Sequence, residues 1–319
     1  MPLVMTPLRD PPVAAVITGP LQLLESRGFN DYRLLDSGKG RKLERFGRIV
    51  VDRPEQQAFW QPRLDAKVWE AAHAVFSGEG DEDAGKWRVN GAVPETWPMR
   101  LLDVTLLGRL SPFRHLGLFP EQLPHWEWML ETIAKVRKAE PDSRPRVLNL
   151  FAYTGAASLL AARAGAEVVH LDASKKAITW GKENQAASKL GEMPIRWILD
   201  DARKFAAREV RRGRTYHIIL ADPPPRGHGP GGELWEMFEH LPGLMADCSR
   251  LLAPERSALI LTAYAIRASA LAMGQLVADV TAGRPGSIDC GELAIREEAG
   301  LRAVPTSLYA RWCSDDLSC

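Results

Sequence analysis

Cysteine is scarce in this 319-residue chain. Cys248, Cys290, Cys313 and Cys319 are scattered and form no C-x-x-C pair. That pattern speaks against a zinc site or a disulfide framework and fits a reducing compartment. The seven histidines fall in no metal-ligand spacing, so no metal is expected. Excess charge is missing too, since 41 Lys and Arg face 40 Asp and Glu for a formal net charge of +1. No global field draws the chain onto nucleic acid or an anionic membrane, and only a local basic patch could do so. No apolar run approaches the length of a membrane span. Residues 1–20 carry prolines and lack the basic-then-apolar layout of a signal peptide, so a cytoplasmic protein with no membrane partner is expected. No internal repeat is visible, and there is no G-x-G-x-x-G, which weighs against a nicotinamide dinucleotide enzyme.

What is present divides into two regions. Residues 1–115 are rich in Trp, Pro and charge. Tyr32–Leu35 and Arg48–Asp52 flank Ser37-Gly-Lys-Gly40 and read as a hairpin or small sheet. Leu64–Phe76 has helical spacing, residues 78–85 form an acidic loop, and Leu101–Leu107 reads as a strand. This region is expected to be a small β-rich α+β domain on the substrate side. In residues 116–319 the pattern changes. Leu123, Trp126, Met129, Leu130 and Ile133 recur at helical spacing within 120–139. Apolar strands follow at 147–151, 167–171, 195–199, 216–221 and 258–263. Helices are expected between and after them, near 156–164, 174–189, 202–212, 232–252 and 267–282. Near-continuous apolar strands alternating with amphipathic helices predict an α/β, Rossmann-like parallel sheet covered on both faces. Ile288–Arg296 and Ser307–Trp312 read as a terminal antiparallel hairpin at one sheet edge.

In such a sheet, ligands bind at the carboxyl ends of the strands where the strand order reverses. The first strand runs into Phe151-Ala-Tyr-Thr-Gly155 and a small-residue helix. Gly155 is either a plain strand-to-helix turn or a point of close ligand approach, with helix amides beyond it suited to a carboxylate. Asp172 ends the second strand. It can accept hydrogen bonds from both ribose hydroxyls, or cap the helix that begins at Ser174. At the third strand end, Asp200 and Asp201 divide between an adenine contact, assigned to Asp201, and a solvated helix cap. The fourth strand ends in Asp222-Pro-Pro-Pro-Arg226. The prolines stiffen the backbone and remove donors, so Asp222, Pro223 and Pro224 are the expected catalytic segment, with Asp222 orienting or deprotonating an acceptor. Residues 226–232 are Gly-rich and either close over the substrate or form a disordered connector. The order and spacing of these strand ends point to S-adenosylmethionine (SAM).

Leu148-Asn-Leu-Phe-Ala-Tyr-Thr-Gly155, Leu171-Asp-Ala-Ser174, Asp200-Asp-Ala202 and Asp222-Pro-Pro224 resemble the class I SAM-dependent methyltransferases related to the large-subunit rRNA cytosine-C5 methyltransferases. Gly117-Leu-Phe-Pro-Glu-Gln122 is similar to that family's Gly-Leu-Phe-x-x-Gln element. The resemblance spans roughly residues 100–312. It implies a seven-stranded methyltransferase sheet with an antiparallel last strand, SAM as cofactor and an rRNA-type substrate. By the same resemblance, Phe119, Gln122, Asn149, Tyr153, Thr154 and Gly155 would surround the methionine end of SAM. Asp172 and Ser174 would face the ribose, and Asp201 the adenine. Three features depart from the family. Pro225 and Arg226 stand where relatives carry Lys and Phe. Thr262-Ala-Tyr264 stands where relatives place the thiolate that attacks the pyrimidine ring. No PUA-type RNA-binding domain is recognisable.

Two basic runs are candidates for RNA-backbone contact. One is Arg41, Lys42, Arg45 and Arg48; the other is Arg203, Lys204, Arg208, Arg211, Arg212 and Arg214. The second also reads as a solvated helix face whose cations favour the helix dipole. Trp60, Trp69, Trp87 and Trp97 fit either base stacking or core packing. The expectation is a methyltransferase acting on an RNA base. A small-molecule or protein acceptor, or a non-catalytic RNA-binding protein with the same fold, stands as the alternative.

Overall fold

The computed structural model describes residues 17, 19–78, 85–264, 266–299 and 302–317. Most of the acidic loop read at 78–85 therefore lies outside the described residues. Near the N-terminus, β1 (Gln22–Ser26) precedes an antiparallel meander of β2 (Tyr32–Gly38), β3 (Arg41–Phe46) and β4 (Ile49–Pro54). A five-residue helix, α1 (Ala66–Glu70), leads to β5 (Ala74–Ser77) and β6 (Lys86–Val89). These give a five-stranded sheet ordered β2-β3-β4-β5-β6. β7 (Trp97–Leu101) and β8 (Val104–Gly108) form a separate hairpin.

Two local expectations change here. The basic stretch Arg41–Phe46 is itself a strand, joined to β2 through Lys39 and Gly40 at φ +50° and +72°. The helical spacing of Leu64–Phe76 gives only the short α1. Ala74 and Phe76 are instead buried in β5, whose partners β4 and β6 override the local periodicity.

A 3-10 turn at Pro120–Gln122 opens the second region and continues into α2 (Leu123–Ala139). Then follow β9 (Arg146–Leu150), α3 (Ala156–Arg163), β10 (Glu167–Asp172), α4 (Lys175–Ala187), β11 (Ile195–Leu199), α5 (Ala202–Arg211) and β12 (Ile218–Ala221). A small hairpin, β13 (Arg226–His228) and β14 (Leu234–Glu236), comes before α6 (Met237–Leu251). β15 (Ala258–Tyr264), α7 (Ala270–Val280), β16 (Gly286–Arg296) and β17 (Ala303–Ser314) complete the chain.

The large sheet has eight strands in the order β1-β16-β17-β15-β12-β9-β10-β11. Seven of them carry the expected arrangement. β9 to β12 and β15 run parallel, and the last strand, β17, is antiparallel to both of its neighbours. The antiparallel β16–β17 hairpin lies at one end of the seven strands as expected, with β17 beside β15. The eighth strand is β1, which pairs parallel to β16. Glu25 in β1 also accepts from Arg296 Nε at 2.6 Å. An edge that would otherwise expose the β16 backbone is thereby covered.

Alternation along the strands separates two cores, as the two-residue period of a strand requires. Val147, Val168, Ile218 and Ile260 pack with Met129 and Ile133 of α2, Leu159 of α3, and Tyr32, Phe46 and Trp97 of the N-terminal strands. Leu148, Leu150, Ile219 and Leu259 pack with Phe205 of α5, Met245 of α6 and Val277 of α7. The N-terminal sheet is thus continuous with one core of the large sheet. It is also tied to the end of β16, where Ser37 Oγ donates to Glu297 Oε1 at 2.6 Å. Within it, Arg53 pairs doubly with buried Glu44, at 2.7 and 2.9 Å, and donates to the Arg114 carbonyl at 2.9 Å. Cys313, near the end of β17, is disulfide-bonded, unlike the reduced state expected from scattered cysteines. Among the described residues no helix is long and apolar enough to cross a membrane.

Gly291 shows how closely β1 is fitted. A Cβ added there would lie 1.8 Å from the Gln22 carbonyl oxygen. Gly291→Ala is expected to push β1 off the sheet edge and cost about 1–3 kcal/mol, the usual range for overpacking. Thermal denaturation reads the loss, and amide exchange accelerates at residues 22–26. Unchanged exchange there would show that β1 is not held by this contact.

Candidate active site

The sheet order reverses at β9, which has β10 on one side and β12 on the other. A cleft of about 310 Å³ opens at the carboxyl ends of these strands, lined by the ends of β10, β12 and β15 and by the β13–β14 hairpin. Its volume suits a nucleoside-sized ligand. A narrower cavity of about 60 Å³ adjoins it and shares Phe119, Phe151, Tyr153 and Asp222.

The wall between the two is the loop after β9. Phe151, Tyr153 and Gly155 all have positive φ, at +55°, +50° and +89°. For the two aromatic residues this conformation costs on the order of 1–2 kcal/mol each, and it persists only where the surroundings hold it. The holding groups are identifiable. Ala152 N donates to the Leu171 carbonyl at 3.0 Å. Tyr153 N donates to Asp172 Oδ2 at 2.8 Å. Thr154 Oγ1 donates to the Gly117 carbonyl at 2.6 Å, and Asn184 Nδ2 donates to the Thr154 carbonyl at 2.9 Å. Gly155 is needed for its φ and for a tight approach to Trp197, whose ring would lie 3.2 Å from an added Cβ.

Asp172 does two jobs at once. Its Oδ1 accepts from Ser174 N at 2.7 Å while Oδ2 accepts from Tyr153 N. Burial pushes its pKa up, and the backbone amides of Ser174 and Tyr153 pull it down. The cap of α4 is Ser174, whose hydroxyl accepts from Ala177 N at 3.2 Å. The helix-cap role weighed for Asp172 therefore falls to Ser174, and the Asp172 carboxylate lines the cleft with Ser174 beside it.

Asp200 and Asp201 both line the cleft, but they divide the work differently from the sequence reading. Asp201 is the α5 cap, accepting from Lys204 N at 2.9 Å. Asp200 pairs with Arg208 and accepts from Asp201 N at 2.8 Å. Farther in, Asn149 Nδ2 donates to Ser158 Oγ at 3.0 Å, and Ser158 Oγ is 2.9 Å from His170 Nδ1. Burial drives the His170 pKa down to about 3, so this ring is neutral and serves the scaffold. The start of α3 has no side-chain cap, and Ala156 and Ala157 line the narrow cavity. Uncapped helix amides there suit a carboxylate.

At the opposite end, Asp222 accepts from Gln122 Nε2 at 3.1 Å. Burial, reinforced by nearby Glu121, pushes the Asp222 pKa up to about 7. Pro224 lines the cleft, and its carbonyl accepts from Trp235 Nε1 at 2.7 Å; Pro223 is buried behind it. The Gly-rich segment is an ordered hairpin, with Gly227, His228 and Gly229 facing the cleft. Lys204 pairs with Glu233, and Arg203 Nη2 donates to the Leu234 carbonyl at 2.8 Å. The missed hairpin is why α6 starts at Met237 rather than near 232.

The structure thus gathers Phe119, Gln122, Asn149, Tyr153, Thr154, Gly155, Asp172, Ser174, Asp201, Asp222 and Pro224 around two adjoining cavities. Sequence reasoning missed Phe151, His115 and Tyr264 as cleft residues. Only their adjacency to recognised motifs could have flagged them. Cys248 lies in the α6 core, where burial pushes its thiol up to about 12. Among the described residues lining the two cavities there is no Cys, Lys or Arg. No group of three or more His, Cys, Asp or Glu among the described residues is placed to hold a metal ion.

The basic runs are largely spent internally. Arg41 pairs with Asp52 at 2.6 Å and Lys42 with Glu55 at 3.1 Å. In the second run, Arg203, Lys204 and Arg208 brace the acidic pair and the hairpin. Trp60, Trp69 and Trp87 donate their indole N–H groups to Ser37, Asp36 and Ser111, and Trp97 is buried in the core.

A SAM-dependent methyltransferase from Agrobacterium tumefaciens has the same fold along its whole length. It is 47% identical, the match covers 98% of this chain and 99% of that one, and the TM-score is 0.90. The chain belongs to the SAM-dependent methyltransferases. The family described as "Conserved hypothetical protein 95" matches residues 129–229 of this methyltransferase. Two curated relatives are also similar. The ribosomal RNA large subunit methyltransferase I of Escherichia coli is 34% identical over 63% of this chain and 53% of its own length. The ribosomal RNA large subunit methyltransferase K/L of Hahella chejuensis is 32% identical over 46% of this chain and 19% of its own length. The methyltransferase therefore spans between a fifth and a half of these two relatives. Its cofactor is SAM, and the residues present fit it, with a carboxylate at the end of β10, an acidic pair at the end of β11 and free helix amides in the narrow cavity.

Two outcomes are expected. Asp172→Ala removes the acceptor that holds Tyr153 N and weakens SAM binding by roughly 1–3 kcal/mol, read by isothermal titration; wild-type affinity would exclude Asp172 from the cofactor site. The second concerns Asp222. A carboxyl whose pKa rises on folding, here from 3.8 to about 7, holds its proton more tightly in the native state. Its stabilising contribution is complete below about pH 3.8 and is lost as pH climbs through about 7. Asp222→Asn is expected to gain melting temperature over wild type as pH rises across that window, and a pH-independent difference would contradict the raised pKa.

Proposed function

We propose that this methyltransferase acts in the cytoplasm on a base of RNA, most simply ribosomal RNA, by direct transfer. The N-terminal region, residues 1–115, forms the substrate side of the cleft, and residues 116–319 form the SAM-binding domain. The observation that carries the reading is Asp222, a carboxylate with its pKa near 7, held by Gln122 beside a group of aromatic rings and with no thiol among the described cleft residues. The two curated relatives, both ribosomal RNA large subunit methyltransferases, support RNA as the acceptor. Bound SAM supplies an electrophilic methyl group.

The chain's own residues supply the rest. Asp172 and Ser174 take the ribose end, and the Asp200–Asp201 pair takes the adenine end. Phe119, Asn149, Tyr153, Thr154 and Gly155 enclose the methionine end. Gln122 acts on the acceptor side, because its amide is committed to Asp222. Asp222, with Pro223 and Pro224 stiffening the chain behind it, receives the acceptor's proton. A pKa near the working pH is what a general base requires. Holding the acceptor in line supplies most of the remaining acceleration, and the β13–β14 hairpin forms one wall of the cleft. The internal pairing of both basic runs favours one alternative, a small-molecule acceptor.

Methyl-labelled SAM incubated with the protein and with separated RNA, protein and metabolite fractions decides between them. Label is expected in RNA; label confined to metabolites would replace this reading with the alternative. The rate should rise as pH passes through about 7. Asp222→Ala should lower kcat by about 10²- to 10⁴-fold, the range for a lost general base.

A further inference from the structure

Resting on the RNA reading, we infer that Phe59 and Trp60 form a platform, outside the SAM cleft, on which an unpaired base of the RNA strand stacks. Phe59 is 84% exposed. A single exposed aromatic is ordinary in itself, but the loop that presents this one is fastened along its length. Gly40 N donates to the Ala58 carbonyl at 2.8 Å, and Lys39 N donates to the Trp60 carbonyl at 2.7 Å. Arg63 N and Leu64 N donate to Asp36 Oδ2 at 2.9 and 2.8 Å. The β2–β3 turn lies so close that a Cβ added at Gly38 would stand 2.4 Å from Pro62 N. A ring presented by a loop held this way gives up little freedom when a ligand lands on it.

Trp60 is the floor of the platform. Its Nε1 donates to Ser37 Oγ at 3.0 Å, and the Arg302 guanidinium lies 5.9 Å over its ring. Arg302 Nη1 in turn donates to the Gln61 carbonyl at 2.7 Å. The Phe59 and Trp60 rings are 5.8 Å apart, centroid to centroid, so the anchored ring braces the exposed one.

The groups around the ring select the occupant. Gln57 and Gln61, two positions to either side of Phe59, are exposed, and their amides can both donate to and accept from a base edge. Residues 37–41 and 56–64 hold Lys39, Arg41 and Arg63 and no Asp or Glu. Arg41 is engaged by Asp52, whereas Lys39 and Arg63 are exposed and pair with no carboxylate among the described residues. The acids at the margin are committed, Glu55 to Lys42, Asp36 to the loop amides, Asp65 to the cap of α1 and Glu297 to Ser37 and Arg302. A ring face, amides and two cations suit the bases and phosphates of single-stranded RNA. A protein partner would call for a contiguous apolar patch, and the next exposed apolar residues, Leu64 and Val68, are separated from Phe59 in the chain by Arg63. Turning one base into the cleft deprives its neighbours of a stacking partner, which the platform supplies. β4, which leads into the Phe59 loop, also reaches the cleft, since Arg53 donates to the Arg114 carbonyl at 2.9 Å and His115 lines the cavity.

The test uses the full chain, with S-adenosylhomocysteine present and a short fluorescein-labelled single-stranded RNA as probe, read by fluorescence anisotropy across a salt series. Phe59→Ala is expected to weaken binding roughly tenfold, the size of one lost base stack. Phe59→Leu should match it, and Phe59→Trp should bind like wild type. Lys39→Gln and Arg63→Gln should each reduce the salt slope by about 1. Unchanged melting temperature and SAM titration show that each variant is folded. Wild-type affinity in Phe59→Ala, or in Phe59→Leu, would overturn the inference. So would a Phe59→Ala variant that dissociates a dimer in sedimentation with its RNA affinity intact, which would assign the ring to a second copy of the chain. Methyl-labelled SAM with in vitro transcribed large-subunit rRNA separates this from the RNA reading itself. Label in rRNA alongside wild-type affinity in Phe59→Ala leaves that reading standing and the platform refuted; neither label nor RNA binding by the wild-type protein ends both.

Discussion

The two oxygens of Asp172 fasten two different loops, one to Tyr153 N and the other to Ser174 N. Through the first, a turn that places Phe151 and Tyr153 in left-handed backbone is kept beside the end of β10. Through the second, the start of α4 is set so that Ser174 can cap it. Both borders of the cleft on this side meet at that one group. The aromatic wall from Phe151 to Tyr153, the uncapped amides of α3 and the narrow cavity behind Phe119 all sit where the turn directs them. The left-handed aromatic pair is held because the Asp172 carboxylate accepts the amide that the turn exposes, together with the bonds to Leu171, Gly117 and Asn184.

Much of this was legible before any coordinates. Short, largely apolar runs such as Val147–Leu150 and Ile218–Ala221, alternating with helical segments, read as strands buried on both faces, and the acidic residues after them mark the edge of the cleft. Three things were illegible for physical reasons. The hairpin of β13 and β14 is only three residues per strand, too short to show a period, and its glycines imitate a flexible connector. β1 is held by a partner near the far end of the chain, which no local pattern can announce. The division of labour between Asp200 and Asp201 depends on which of them meets Lys204 N and which meets Arg208, and adjacent carboxylates look alike in a sequence. The Asp222 contact of Gln122 was hidden for a similar reason. Its motif located it at the site, while its partner, Asp222, is 100 residues away.

The cationic helix α5 illustrates how charge counts mislead. Its arginines and lysine read either as phosphate contacts or as a solvated helix face. Instead Arg208 holds Asp200, Lys204 holds Glu233, and Arg203 reaches the Leu234 carbonyl. Cations placed this way neutralise an acidic cleft rim from behind and secure the hairpin over it. Among the described residues no Lys or Arg lines the cleft even though positive charge is close by. The N-terminal sheet uses the same device, with Arg41, Lys42 and Arg53 each matched to a carboxylate.

The pairing of β1 with β16 imposes an order of events on synthesis. Glu25 and Arg296 are 271 positions apart, and at about 5–20 residues per second the ribosome needs tens of seconds to deliver the later one. Until then the β1 backbone has no mate, while the N-terminal meander beside it can already close on itself. The first strand described in the chain is thus one of the last to find its place. The edge of the finished sheet is sealed by a segment that has waited for the rest of the molecule to emerge.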